Sequence, residues 1–230
     1  MKRSEINRVL RSSVAFLREN KFELPPFAYW TPAQWRRKKR PEVAEIIDTM
    51  LGWDLTDFGK GRFREFGLTL FTIRNGHQRD KRYPKPYAEK AMICLEDQMT
   101  PMHFHWNKTE DIINRGGGEM MIRLCSATRT GKLSGGDVRF GADGVRRRVR
   151  AGSVLRFERG ESLTLEPGLY DSFWAKRGKG AVLLGEVSSV NDDHTDNRFL
   201  DPIGRFPTIE EDAAPLHYIV GDYEGLRLRR

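Results

Sequence analysis

The stretch His103-Phe104-His105-Trp106-Asn107-Lys108-Thr109-Glu110 sets two imidazoles at alternate positions and a carboxylate five residues after the second. In an extended strand, residues i and i+2 share a face, so both histidines reach toward one point. Imidazole nitrogen and carboxylate oxygen together suit a borderline divalent ion such as Mn, Fe, Co, Ni or Zn. Two histidines at this spacing are also common as surface or hydrogen-bonded residues, and the flanking sequence decides between the readings. Strand-like residues from Lys90 to Leu95 and a turn at Pro101 precede the pair, and Gly116, Gly117 and Gly118 follow Glu110. Glycine accepts positive φ at little steric cost, so the triplet reads as a hairpin turn. The expectation is two antiparallel strands closing around a metal, with Glu110 entering from the second.

From Phe66 onward, short apolar stretches alternate with turn residues. Leu68, Leu70 and Phe71 through Ile73 form one strand, and Tyr83-Pro84-Lys85-Pro86-Tyr87 is a rigid extended connector. Further strands fall near 119–126, 137–140, 145–150, 153–158, 162–166 and 181–190, with Ala142-Asp143-Gly144 as a hairpin turn. So many short strands at regular spacing predict a mainly β fold, a barrel or double-sheet jelly roll. Upstream, Ile6, Val9, Leu10, Val14 and Leu17 recur at helical spacing over 4–20, and a second helix is expected from Glu42 to Met50, stopped by Gly52. The expected organisation is a helical extension over 1–65 packed outside a barrel over 66–230. The last forty residues fold back as an irregular arm, all within one compact domain.

A chain of 230 residues is long enough to bury a substantial core. The net charge of +8 invites a nucleic-acid reading, with Arg36-Arg37-Lys38-Lys39-Arg40 and Arg146-Arg147-Arg148 as its best supports. No nucleic-acid-binding motif accompanies them, so both clusters read as solvated faces, with attraction of anionic small molecules as a milder role. The two cysteines, Cys94 and Cys125, lack metal or redox spacing and read as buried thiols in a reducing cytosol. No apolar run approaches the roughly 18 residues of a membrane span, and the amino terminus lacks the apolar core of a signal peptide. A soluble cytoplasmic protein without nucleic-acid or membrane partners is expected.

The spacing around the histidines resembles the first motif of the cupin family: a glycine, H-x-H, three or four residues, a Glu, six residues and a Gly. Gly117 follows Glu110 after six intervening residues, whereas the leading glycine is replaced by Asp97. A second cupin motif would supply a further His shortly after a P-G turn, and here Pro167-Gly168-Leu169-Tyr170 leads to Asp171. Longer runs narrow the resemblance. Leu68 to Asn75, Tyr83 to Lys90, Thr100 to His105, Glu110 to Gly118, Gly185 to Phe199 and the amino-terminal Lys2 to Ile6 are similar to the cupin-type D-lyxose ketol-isomerases, and together they span nearly the whole chain. That family acts on D-lyxose and related aldoses such as mannose, with three His and one Glu on Mn2+. The resemblance places three ligands on His103, His105 and Glu110, and the fourth on Asp171 where the family has His. Two carboxylates with two histidines form a harder set that favours Mn or Fe over Zn, with Co also accommodated. Because Asp is shorter than His, Asp171 ligates directly, through a water, or not at all. A homodimer is what the resemblance implies.

Aldose–ketose isomerisation moves a proton between C1 and C2 while charge gathers on an oxygen, so a cation beside both oxygens and a carboxylate above the carbons fit the chemistry. Lys90 is a candidate to stabilise the enediolate. Glu186, in the apolar run Val182-Leu-Leu-Gly-Glu-Val187, is a candidate base because an unpaired buried carboxylate would be costly there. Asp193, in the polar loop Asp192-Asp193-His194 with nearby Asp196, is the candidate second acid/base group, and the resemblance points to this loop as well. Lys108 and Arg198 are candidates for substrate hydroxyls. His77 and His217 lack partners at ligand spacing, and Trp106 and Trp174 suit either a sugar face or core packing. Two other classes stay open: an Fe(II) cupin oxygenase, and a noncatalytic sugar-binding cupin weakened at Asp171. The polar surroundings favour a polyol over an apolar substrate.

Overall fold

Alternation of inward apolar side chains folds the chain into two antiparallel sheets that face each other across one core. The computed structural model describes residues 1–192, 195–204 and 206–229. Its strands are β1 (Gly52–Thr56), β2 (Leu68–Arg74), β3 (Tyr87–Cys94), β4 (His103–His105), β5 (Glu110–Gly117), β6 (Met120–Ser126), β7 (Val138–Ala142), β8 (Val145–Val149), β9 (Val154–Phe157), β10 (Ser162–Leu165), β11 (Leu169–Ala175), β12 (Val182–Ser189) and β13 (Asn197–Phe199). One sheet has the order β1-β2-β3-β12-β5-β10-β7-β8, and the other β13-β4-β11-β6-β9. Leu70, Met92, Ile112, Leu163 and Leu184 of the first meet Ile122, Leu124, Phe173 and Ala175 of the second in the core. This is the expected double-sheet jelly roll.

The opposite side chains of β1, β2, β3 and β12 make a second apolar layer. Trp53, Leu55, Phe71, Ile73, Ala91, Ile93 and Leu183 pack against Ile6, Leu10 and Leu17 of helix α1 (Arg3–Glu19). The helix therefore lies outside the barrel, as its spacing predicts. The shorter helices are α2 (Pro32–Arg36), which a Thr31 capping box starts, and α3 (Ala44–Asp48), preceded by a 3-10 turn over Arg40–Val43. Among the described residues, no helix is long and apolar enough to cross a membrane.

Three expectations change. The segment 1–65 is not purely helical: β1 pairs along its whole length with β2, from Gly52 opposite Thr72 to Thr56 opposite Leu68. The two strands of the histidine–glutamate stretch are not hairpin neighbours. β4 and β5 lie in opposing sheets, so Glu110 approaches the histidines from across the barrel. Likewise Gly116 to Gly118 carry the chain from one sheet to the other. Gly117 has φ of 72°, and a Cβ there would lie 2.4 Å from the Ala181 carbonyl oxygen, so the crossing needs glycine. The hairpin through Asp143 and Gly144 forms as expected, joining β7 to β8 with Ala142 opposite Val145. Asp97, standing where the cupin pattern has glycine, adopts φ of 54°, the left-handed conformation that glycine favours and Asp tolerates.

The carboxyl-terminal arm is tied to the start of α1. Arg3 is 1% exposed, and its guanidinium donates to both carboxylate oxygens of Glu211 and of Asp222, at 2.6–3.1 Å. Removing one member of such a buried group strands the charges it faced. Arg3→Met is expected to lower unfolding free energy by about 2–3 kcal/mol, read from urea denaturation, since Asp222 is left largely buried and Glu211 can rehydrate.

Candidate active site

The inner row of the large sheet is apolar until it reaches one end of the barrel, where register brings charge together. Lys90 on β3 stands opposite Glu186 on β12, and Glu110 on β5 stands opposite Ser188, the next inward residue of β12. Lys90 Nζ lies 3.2 Å from Glu186 Oε1. Lys108, just before β5, closes the group: its Nζ is 2.6 Å from Glu110 Oε2 and 2.9 Å from Glu186 Oε1. All four side chains are at most 5% exposed. Ser188 Oγ adds a hydrogen bond to Glu186 at 3.2 Å.

Burial alone would push the Glu186 carboxyl upward, but Lys108 and Lys90 outweigh it and hold it well below the ordinary carboxylate range. Two ammonium and two carboxylate groups leave the cluster formally neutral. Sequestering four charges costs several kcal/mol per ion before their attraction is counted, so an apolar plug would serve stability at least as well. Such an arrangement in a cavity marks a functional site.

The small sheet contributes the histidines. His103 and His105 both face inward from β4, with ring centroids 5.5 Å apart, and His103 stacks on Phe199 of β13. His103 Nδ1 lies 3.0 Å from the Pro101 carbonyl oxygen. His105 Nδ1 lies 3.5 Å from Asp196 Oδ2, and His105 Nε2 is 3.6 Å from Glu110 Oε1. Burial, with Lys108 nearby, lowers the His105 pKa. Asp196 is buried and accepts from the Asn107 backbone, the Asn107 side chain and the Lys108 backbone at 2.8–3.1 Å. Burial raises the Asp196 pKa, yet the nearby His105 ring and the hydrogen bonds from Asn107 prevail and bring it to about 2. A carboxylate behind one imidazole and a carbonyl behind the other are the outer partners that orient metal-binding histidines.

Asp171 on β11 stands directly opposite His103 on β4. It is 1% exposed, and neither carboxylate oxygen has a hydrogen-bond partner. Burial pushes its carboxyl up to about 7, although His103 opposes the shift. A buried carboxylate in this condition takes either a proton or a cation. Two inward imidazoles with partners near their Nδ1 atoms and this bare carboxylate offer donors of the kind a divalent ion takes. Among the described residues, however, no three His, Cys, Asp or Glu side chains are drawn together at ligating separations. Glu110 is turned to the Lys108 ammonium, which supplies the positive charge there.

The cavity between these groups has a volume of about 40 Å3 and is walled by Lys90, His103, His105, Lys108, Glu110 and Glu186, with Met92, Ile112 and Phe173 on its apolar side. Asp171, beside His103 on the neighbouring strand, is not among the residues that line it. Arg198, expected to meet substrate, lies elsewhere: on β13 its neighbours Asn197 and Phe199 face the cavity, and strand alternation turns Arg198 to the exposed side. Asp193 lies outside the described residues. Two residues left without a role by the sequence are Asp196, noted there only as part of the polar loop and lying behind His105, and Asn191, whose Oδ1 accepts from Lys90 at 2.8 Å and Lys108 at 3.3 Å. A run of polar residues after an apolar strand was the only available signal. Trp106 is 46% exposed and Trp174 half-buried, and neither lines the cavity.

The two facing sheets with a charged cavity at one end define a cupin-like double-sheet jelly roll. The structure is similar to L-ribose isomerase from Cellulomonas parahominis (TM-score 0.61, 15% identity, covering 91% of this chain and 98% of that one) and to L-ribose isomerase from Geodermatophilus obscurus (TM-score 0.59, 15% identity, 91% and 98%). At such identity the likeness speaks to fold alone. The D-lyxose isomerase family model matches residues 1–223, and the chain belongs to that family. It is 48% identical over 227 residues to the D-lyxose/D-mannose isomerase of Escherichia coli O157:H7, covering 99% of this chain and all of that protein. With the D-lyxose/D-mannose isomerase of Serratia proteamaculans it shares 49% over 223 residues, covering 97% and 98%.

The raised Asp171 pKa fixes the sign of a pH effect in chelator-treated protein. The native state keeps a proton that the unfolded chain releases near pH 4, so this group lowers stability as pH rises from about 4 to about 7, and the deficit then stays constant. Asp171→Asn is expected to remove that slope. Its stability relative to the parent rises by a few kcal/mol between roughly pH 4 and 8 in urea titrations, and parallel curves would refute the assignment.

Proposed function

We propose that this chain is a metal-dependent aldose–ketose isomerase interconverting D-lyxose and D-xylulose, and also D-mannose and D-fructose, through an enediolate. The observation that carries the reading is the neutral, buried Lys90–Glu186–Lys108–Glu110 cluster facing two oriented imidazoles, in a chain nearly half identical to proteins named D-lyxose/D-mannose isomerase. His103, His105 and Glu110 hold the ion, with Asp171 as an oxygen donor either directly or through water. Mn2+ is the proposed ion, with Co2+ or Fe2+ as substitutes. When bound, it supplies Lewis-acid stabilisation of the sugar oxygens.

Glu186 is the proposed base at C2, because the two lysines keep it ionised inside an otherwise apolar strand. The same ammonium groups lie where enediolate charge gathers, so Lys90 and Lys108 donate hydrogen bonds to the substrate oxygens as the proton leaves. Asp193 is the proposed second acid/base group, resting on the family resemblance. The charged lining suits a polyol better than the apolar substrate of an oxygenase. A homodimer is proposed on the same resemblance, with light scattering as its check, and a cytoplasmic location on the two free, buried thiols Cys94 and Cys125.

The test strips the protein of metal, restores Mn2+, Co2+, Fe2+ or Zn2+ separately under anaerobic conditions, and follows D-lyxose conversion beside Asp171→His. Turnover with Mn2+ or Co2+ in the parent is the expected result. Recovery only in Asp171→His would mark Asp171 as a defect, and silence in both would sink the reading. Glu186→Gln is expected to lower kcat by roughly 10²- to 10⁴-fold, the usual contribution of a positioned general base.

A further inference from the structure

We infer that the cleft on the far side of Asn191 is a polyol subsite that receives the distal hydroxyls of a six-carbon sugar, with the Asn191 amide as the partition between it and the ionised cavity. The inference rests on the isomerase reading only for which end of the sugar points inward.

The inner cavity, at about 40 Å3, has room for an ion and a few waters, each water needing roughly 10–15 Å3. A five- or six-carbon chain therefore extends beyond it. Past Asn191 a cleft of about 310 Å3 opens, with Asp54, Thr72, Asn75, Asn191, Asp192 and Thr195 on its walls. The Thr72 hydroxyl both donates and accepts, and the Asp54 and Asp192 carboxylates accept, which is the mixture that sugar hydroxyls require. Register fixes the two spaces side by side: Thr72 on β2 stands directly opposite Lys90 on β3.

The partition is a side chain on a rigid mount. Asn75, itself buried, accepts from the Asn191 backbone N–H at 3.1 Å and donates to the Asn191 carbonyl at 3.1 Å and to the Thr49 carbonyl at 3.2 Å. The Asn191 backbone is thus pinned while its Oδ1 reaches inward to Lys90 and Lys108. Because Asn191 lines the cleft and its Oδ1 reaches the lysines of the cavity, rotation of that side chain would expose the lysines to the cleft. A sugar hydroxyl in its place accepts the same lysine hydrogen bonds, so the lysines keep an acceptor when substrate enters.

Calorimetric titration of D-mannitol and D-arabinitol, the reduced hexose and pentose, into Mn2+-loaded parent, Thr72→Val and Asn191→Ala tests this, alongside KM and kcat for D-mannose and D-lyxose. Thr72→Val keeps the side-chain shape and removes one hydroxyl. It is expected to weaken D-mannitol roughly three- to tenfold, the worth of one neutral hydrogen bond, and to raise KM for D-mannose more than it lowers kcat, with smaller effects on the pentose pair. Asn191→Ala is expected to lower kcat on both sugars while weakening D-mannitol more than D-arabinitol. Unchanged D-mannitol affinity in both folded variants, or no polyol binding to the parent, overturns the subsite. A parent that turns over neither sugar, yet binds D-mannitol in a Thr72-dependent way, keeps the subsite and removes the isomerase reading alone.

Discussion

The bond network of the Lys108 ammonium is the constraint on which the site depends. It bridges Glu110 and Glu186 within one barrel end, at separations of 2.6 and 2.9 Å. Without it, two carboxylates would share a low-dielectric space with only Lys90 to balance them, and one would have to take a proton. The backbone reflects this need. Lys108 sits in the connection between opposing sheets, where Asp196 accepts its N–H together with that of Asn107 and also stands behind His105. A single buried carboxylate thus sets both the entry of Lys108 and the orientation of an imidazole.

Charge balance explains the contrasting states of the carboxylates. Glu186 faces two ammonium groups and stays ionised, while Asp171 has both oxygens bare and a pKa pushed to about 7 by burial. The two differ through their neighbours, not their depth. A dication beside Asp171 would favour its ionised form, as the two ammonium groups do for Glu186.

Much of the fold was legible because period-2 alternation and turn glycines are local signals. The H-x-H stretch, the hairpin at Asp143-Gly144 and the amphipathic α1 all follow from neighbours in sequence. β1 escaped because Gly52-Trp-Asp-Leu-Thr56 follows a helix and turns Asp54 and Thr56 inward, so it lacks a clean apolar alternation. The sheet change at Gly116 to Gly118 escaped because a glycine turn reads the same whether the strands it joins pair or part. In the site, Lys90, Glu186 and Glu110 were visible as charges at strand positions, and Lys108 as a charge between the two strands of the histidine–glutamate stretch. Arg198 was not placed correctly because its loop was read without a register, and β13 turns it outward. Asn191 and Asp196 act through bonds across 101 and 89 residues, which no local pattern carries.

The edge of the large sheet bears on how copies of the chain meet. β8 is its last strand, and Arg146, Arg147 and Arg148 are exposed there beside a half-buried Val149. Were a second copy to extend the sheet through an antiparallel β8 centred on Arg147, Arg147 would face itself and Arg146 would face Arg148. Like charges directly opposite in neighbouring strands are repulsive, and charged edges are a common guard against such pairing. The triplet that first resembles a nucleic-acid patch therefore disfavours extension of the sheet through β8, even with Arg148 paired to Asp137 and Arg146 near Glu166.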